Sequence, residues 1–313
     1  MRAATVRDNQ VSVEDHPDPC PQAGQVLVRV RAAGLNGADM LQRRGRYPAP
    51  PGSPADVPGL ELAGEVAKRG PGAQRFADGD RVMAIVGGGG QAELAVVHER
   101  QLMPVPEALD WPQAGGLPEV FATAYDAVFS QGKLGVGEHL LIHGGAGGVG
   151  TAAVQLARAA GARVTATVRN PQLRGQVAEL GATVIDPEGF ASAGPFDVVL
   201  ELVGAPNLSE NLKALATGGR IVVIGVGGGP RGELDLLALM GKRGAIHGST
   251  LRARPLEEKA QVTRELERHV LPLFEAGRLC VPVAATYPLA EVHDAYERFA
   301  AGSKLGKIVL TMG

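Results

Sequence analysis

Residues 138–161 read Glu138-His139-Leu140-Leu141-Ile142-His143-Gly144-Gly145-Ala146-Gly147-Gly148-Val149-Gly150, then Thr-Ala-Ala-Val-Gln-Leu-Ala-Arg-Ala-Ala and Gly161. The apolar run Leu140–Ile142 has the length and the bounding glycines of a buried strand. Thr151–Ala160 is rich in helix formers and stops at Gly161, a suitable C-terminal cap. Val164–Val168 then supplies a second strand. Between strand and helix, Gly145, Gly147 and Gly150 fit G-x-G-x-x-G, with Ala146, Gly148 and Val149 filling the spaces. Glycines serve a tight turn, close approach of a pyrophosphate to the backbone, and close packing of helix on strand. A diphosphate would sit on the free N–H groups and positive dipole end of a helix starting near Gly148. Such a motif can also occur by chance in a surface loop of a chain with 44 glycines. The strand before it and the helix after it are the context that the nucleotide-binding reading requires.

At 313 residues, the chain is long for a single core, so two domains are expected. Its apolar and charged content is that of a soluble globular protein. A net charge of −2 argues against nucleic acid as a partner, since those proteins carry a basic patch. No apolar run approaches the ~20 residues of a membrane span. Met1–Val6 reads as a strand start rather than a signal peptide, because no apolar segment follows. Cys20 and Cys280 form neither a Cys-x-x-Cys pair nor a disulfide framework. A cytoplasmic enzyme is the default expectation.

Outward from the glycine turn, residues 1–118 are β-rich. Val26–Ala32, Leu62–Lys68, Asp80–Val86 and Gln91–Val97 read as short strands, spaced as in a small antiparallel barrel. Arg46–Pro54 is a stiff proline-rich loop, and Gly87–Gly90 reads as a tight hairpin connection. From Pro118 the pattern alternates. Phe121–Leu134 reads as a helix, and Phe196–Val203 and Gly219–Gly225 as apolar strands of a parallel sheet covered on both faces. Arg243–Ser249 is a candidate last strand. Ligands bind such sheets at the carboxyl ends of the strands, which puts Val203, Gly204, Gly225, Val226, Ser249 and Leu251 with the glycine turn. Leu256–Ala276 and Leu289–Ala301 read as amphipathic helices. Gly306–Thr311 is a closing strand, expected to return to the first domain.

The second strand of the nucleotide unit ends Thr167-Val168-Arg169-Asn170, with Arg174 one helical turn on and no acid. NAD sites place an acid there, whereas a planar, permanently charged Arg suits a 2′-phosphate. The expected cofactor is NADPH; the alternative is that Arg169 is a solvated strand end.

Gly137-Glu138, Leu141, Gly145–Gly148, Gly150, Gln155 and Arg158 match a signature of about ten constrained positions. The chain thereby resembles the quinone oxidoreductase/zeta-crystallin group, the zinc-independent branch of the medium-chain dehydrogenase/reductase superfamily. The resemblance extends over Gly34-Leu35-Asn36, Asp39, Arg43, Gly45, Tyr47-Pro48, Pro58–Glu61 and Gly64–Val66. Gly88–Glu93, Arg252–Lys259 and Gly306–Leu310 are most similar to the tumour-suppressor-inducible type of quinone reductase. The resemblance implies an α/β architecture: a doubly wound parallel Rossmann sheet (119–255) and a GroES-like β-barrel catalytic domain made from both chain ends (1–118 and 256–313). It further implies NADPH as hydride donor, a quinone as acceptor and a homodimer.

Zinc-dependent relatives carry Cys where Asn36 stands and His where Leu60 stands, and they have a four-Cys lobe that this chain lacks. Without three or four suitable ligands no zinc site is expected, and alcohol oxidation reads poorly without a Lewis acid. The implied reaction is hydride transfer to a quinone, helped by a hydrogen-bond donor at the oxygen that gains charge. Asn36 and Tyr47 are the candidates, against a turn role for Asn36 and packing on the proline loop for Tyr47. Thr123 and Tyr125 are placed toward the nicotinamide, Asp39 and Arg43 as a structural pair, and His143 as a satisfied strand-end residue. The family's usual Lys and Tyr contacts to the 2′-phosphate are absent, and the segment 183–195 is short by a helix. Two rival readings stay open. One is an NADPH-dependent enone or alkenal double-bond reductase; the other is an NADPH-binding protein with a mainly structural role.

Overall fold

Strands occur where β-branched and apolar residues cluster, and fifteen run along the chain. They are β1 (Arg2–Arg7), β2 (Gln10–Asp15), β3 (Gln25–Gly34), β4 (Glu61–Arg69), β5 (Arg81–Ile85), β6 (Leu94–His98), β7 (Leu102–Pro104), β8 (His139–Ile142), β9 (Arg163–Thr167), β10 (Thr183–Ile185), β11 (Phe196–Glu201), β12 (Leu215–Val223), β13 (Ala245–Gly248), β14 (Val283–Pro288) and β15 (Lys307–Thr311). The computed structural model describes all 313 residues. They form two units, Met1–Ala122 with Leu251–Gly313, and Thr123–Thr250.

The unit 123–250 is built on a six-stranded sheet of order β10-β9-β8-β11-β12-β13. Every neighbouring pair is parallel. Leu140, Leu141 and Ile142 are fully buried at its centre, which is why β8 reads as an unbroken apolar run rather than an alternating one. Chain order reverses between β8 and β11, the switch point where doubly wound sheets open a crevice for ligands. One face is packed by Phe190, Phe196, Val199, Leu212, Leu215 and Ile221. The helix Gly148–Ala159 buries Ala152, Ala153, Val154, Leu156 and Ala157.

The unit 1–122 with 251–313 holds a seven-stranded sheet of order β14-β15-β3-β4-β5-β7, with β6 also on β3. The C-terminal strand β15 joins by antiparallel pairing with β3. Val28, Val30, Leu62, Val82, Ile308 and Leu310 form its core with Tyr296. No helix of either unit is long and apolar enough to cross a membrane.

Three elements differ from the sequence reading. The helix expected over Phe121–Leu134 is an α-helix only over Pro118–Tyr125 and widens to a π-type turn over Asp126–Gln131. There Gly132 N–H reaches back to the Ala127 carbonyl, and Lys133 is left-handed. Leu256–Ala276 breaks into Leu256–His269 and Leu271–Glu275, because Pro272 has no N–H to continue the ladder. Gly87–Gly90 is not a hairpin connection, since β5 pairs with β4 and β7 while β6 pairs with β3. These glycines serve close approach instead: a Cβ on Gly87 would lie 2.3 Å from Ser53 Oγ, and one on Gly90 2.6 Å from the Glu61 carbonyl.

Candidate active site

In the unit 123–250, β8 ends at Ile142 and the chain turns through Gly144, whose φ is +70°. A Cβ on Gly145 would meet Ala166 Cβ at 2.8 Å, and one on Gly150 would meet the Gly144 carbonyl oxygen at 2.4 Å. Both positions therefore exclude side chains on packing grounds. Gly147 is the N-cap of the helix Gly148–Ala159. Thr151 N–H makes the first bond into that helix, to the Gly147 carbonyl, so the N–H groups of Gly148, Val149 and Gly150 precede the ladder. Gly147 is exposed and Ala146, Gly148 and Val149 are half-buried. The turn thus leaves backbone N–H groups at a helix N-terminus, the arrangement that could hold an anion such as a diphosphate.

Of the other residues expected in this half, Val203, Gly204, Gly225, Val226 and Ser249 follow the carboxyl ends of strands of the same sheet, whereas Thr123 lies on the helix Pro118–Tyr125. Gly204 has φ +117° and Gly225 packs so tightly that a Cβ would lie 2.4 Å from the Leu202 carbonyl oxygen. Val203 is half-buried and Val226 exposed. Ser249 Oγ donates to Asp126 Oδ2 at 2.8 Å, and Thr123 is buried. Leu251 is buried in the other unit. After β9 the three polar candidates separate. Arg174 donates to the Val168 carbonyl at 3.0 Å and pairs with Asp186. Asn170 Oδ1 accepts from Gln172 N–H at 3.0 Å. Arg169 is exposed and has no partner in the chain. His143 is buried, with its ring facing Asn211 and Thr167 rather than the turn.

In the other unit, Asn36 ends the loop after β3 and is 6% exposed. Its Nδ2 donates to Glu61 Oε1 at 2.9 Å, and its Oδ1 accepts from Lys307 Nζ at 2.6 Å. Lys307 Nζ also lies 2.6 Å from Glu61 Oε1 and donates to the Leu35 carbonyl at 2.8 Å. Glu61 Oε2 accepts the Glu119 N–H at 2.8 Å. The amide of Asn36 is thus fully engaged within the chain.

Tyr47 differs. Its hydroxyl makes no hydrogen bond in the chain, while its ring lies under the Arg252 guanidinium at 4.9 Å. Arg252 donates to the carbonyls of Tyr47 and Gly87, each at 2.8 Å, and to Gln42 Oε1. Nothing in a single sequence separates Arg252 from its surface neighbours, and sequence reasoning missed its place here. Asp39 does not pair with Arg43, which instead bonds Glu297 at 2.8 Å. Asp39 accepts N–H groups from Asn36 and Gly59. Complete burial pushes its carboxyl up to about 6, against those bonds and the charges of Lys307 and Arg252.

The donor set at Asn36 does not fit a metal. A buried ammonium already holds its oxygens, and no three His, Cys, Asp or Glu side chains of the chain group around a metal position.

Residues 22–107 match the alcohol dehydrogenase GroES-like domain and residues 148–268 the zinc-binding dehydrogenase family. The quinone oxidoreductase of Rattus norvegicus is 34% identical over 306 residues, covering 94% of this chain and 91% of that protein. The spectinabilin polyketide synthase system protein NorB of Streptomyces orinoci is 35% identical over 312 residues, 94% of this chain but 14% of that protein. Among solved structures, an NAD-dependent alcohol dehydrogenase superposes with a TM-score of 0.88 at 28% identity, covering all of both chains. Fold and site together define an oxidoreductase of the medium-chain dehydrogenase/reductase class, dependent on a nicotinamide dinucleotide. Within that class the chain belongs to the quinone oxidoreductase family.

Proposed function

We propose that the protein is a zinc-independent, NADPH-dependent quinone reductase. The observation that carries this reading is the Tyr47 hydroxyl, held by its ring and main chain beneath Arg252 yet left without a partner. Bound NADPH would supply the hydride. The backbone N–H groups of Gly148–Gly150 would hold its diphosphate, and the loops at Val203–Gly204 and Gly225–Val226 would line the rest of its path. Arg169, the unpaired arginine of the loop that follows β9, would face the 2′-phosphate. Tyr47 would donate a hydrogen bond to the acceptor oxygen as it gains charge. Asn36 acts through its neighbours: its carbonyl holds the Lys307 ammonium where a metal would otherwise be sought.

A conjugated enone gains charge on its oxygen in the same way, so the free Tyr47 hydroxyl also favours the second reading. Turnover decides between them. With NADPH and a chelator present, ortho-quinones are expected to be reduced faster than simple alkenals. Gly150→Ala, which drives a methyl against the Gly144 carbonyl, is expected to abolish turnover with either. Loss of activity in chelator, or a clear NADH preference, overturns the corresponding part.

We also infer a homodimer. Strand β13 is a sheet edge, and the helix Leu236–Lys242, which packs on the neighbouring β12 and leads into β13, exposes Leu236 (64%), Leu237 (77%) and Met240 (71%). A second copy pairing along that edge would cover them. A monomer in sedimentation at micromolar concentration would refute this.

A further inference from the structure

A chain of hydrogen bonds runs beneath the glycine turn, and its polarity can be assigned end to end. It starts at Glu201, the last residue of β11, 2% exposed. Glu201 Oε1 accepts the N–H groups of Val203 (2.6 Å) and Gly204 (2.8 Å) and Nδ2 of Asn207 (3.3 Å). Its Oε2 accepts Nδ2 of Asn211 at 2.7 Å. With its nitrogen so engaged, Asn211 presents Oδ1 to His143 Nε2, 2.7 Å away. Desolvation holds His143 below the ordinary imidazole value, although the Glu201 carboxylate 3.8 Å from Nε2 pulls the other way; in the neutral ring the single proton sits on Nε2, which faces the Asn211 oxygen. Nδ1 is then an acceptor, and it faces Thr167 Oγ1 at 3.2 Å. That hydroxyl, donating to the ring, turns a lone pair toward the Gly144 N–H at 3.4 Å. The Thr167 carbonyl takes the Gly145 N–H at 3.0 Å.

The members stand at the carboxyl ends of β8, β9 and β11 and on the helix Leu208–Ala214, and all four named side chains are buried. Apolar residues would fill that space without any requirement for matched partners. What the polar chain adds is direction, since each bond fixes the donor sense of the next.

We infer that Glu201, Asn211, His143 and Thr167 are positioning residues for the dinucleotide, locking the loops after β8, β9 and β11 in the register that presents the turn's N–H groups. This rests on the reading of that turn as the dinucleotide site.

The test uses the full-length protein with NADPH as probe, binding followed by nicotinamide fluorescence and turnover measured at saturating NADPH. Thr167→Val removes the hydroxyl but keeps the shape and the carbonyl, whereas Thr167→Ser keeps the hydroxyl. Thr167→Val is expected to raise the Kd for NADPH about fivefold to tenfold, the effect of losing one buried hydrogen bond, with the loss falling on Kd rather than on kcat. Thr167→Ser is expected to restore binding. Asn211→Leu should match Thr167→Val, and the double variant should bind no worse than the weaker single, because both cut one chain. An unchanged Kd in Thr167→Val, no rescue by Ser, or additive losses overturns the inference. If Asn211→Leu does not fold, the Thr167 pair decides alone. Wild-type protein that binds neither NADPH nor NADH overturns the dinucleotide reading itself, and the inference with it.

Discussion

Arg252 lies over Tyr47, its guanidinium carbon 4.9 Å from the ring centroid and its Nη1 2.8 Å from the same residue's carbonyl oxygen. The tyrosine is therefore gripped by its face and its main chain while its hydroxyl stays free. Burial raises that hydroxyl above the ordinary phenol value and the Arg252 charge pulls it back. Net, it stays protonated through neutral pH and serves as a donor. Tyr47→Phe is expected to lower kcat toward a quinone by roughly 10- to 100-fold, as loss of one donor at a developing oxyanion does. NADPH affinity should not move. An unchanged kcat would assign the ring to packing on the proline loop.

The proposed preference for NADPH turns on which arginine after β9 is available. Arg174 is tied to Asp186 and to the Val168 carbonyl, while Arg169 is unpaired. Arg169→Ala is expected to weaken NADPH about tenfold relative to NADH, the scale of a charge-assisted phosphate contact. Asp186→Asn frees Arg174 and should tighten NADPH without tightening NADH. Parallel changes in both nucleotides would make Arg169 a solvated strand end.

The glycine turn was more legible in the sequence than the cluster around Asn36, for a physical reason. The turn is local: strand, glycines and helix are contiguous, and only Gly145 answers to a residue of another strand, Ala166. The cluster around Asn36 is not local, since Lys307 and Arg252 arrive from the other end of the chain and only the β3–β15 pairing brings one of them in. Turn chemistry hid the first hairpin too. Asp8 and Asn9 both take positive φ between β1 and β2, a two-residue turn without the glycine that usually marks it. The π-type turn after Tyr125 left no periodicity signal, because a single widened turn of six residues is too short to shift a helical pattern.

Lys307 and Glu61 form an ion pair at 2.6 Å with both side chains buried. Lys307→Met leaves the Glu61 carboxylate without its cation and is expected to destabilise the protein by about 3–5 kcal/mol. Adding Glu61→Gln to that variant should recover part of the loss, because the buried charge is then gone while Glu119 N–H keeps an acceptor. Denaturant midpoints measure both. A double variant no more stable than Lys307→Met would mean that packing of the lysine stem, which lies against Gly34 and Gly116, matters more than its charge.

Asp39 gives the stability a pH dependence of defined sign. Its carboxyl is raised from 3.8 to about 6 by burial, so between those values the folded chain holds a proton that the unfolded chain has released. Stability from this group is complete below pH 3.8 and is lost as the pH rises through about 6. His143, held low by desolvation, acts in the opposite direction, removing stability as the pH falls below its ordinary value. Asp39→Asn removes the first contribution and leaves the second. Wild type is therefore expected to lose roughly 2 kcal/mol relative to Asp39→Asn between pH 4 and pH 7. Guanidinium unfolding of both proteins across that range measures the difference. Curves that run parallel would mean that Asp39 is ionised throughout, its N–H bonds from Asn36 and Gly59 outweighing its burial.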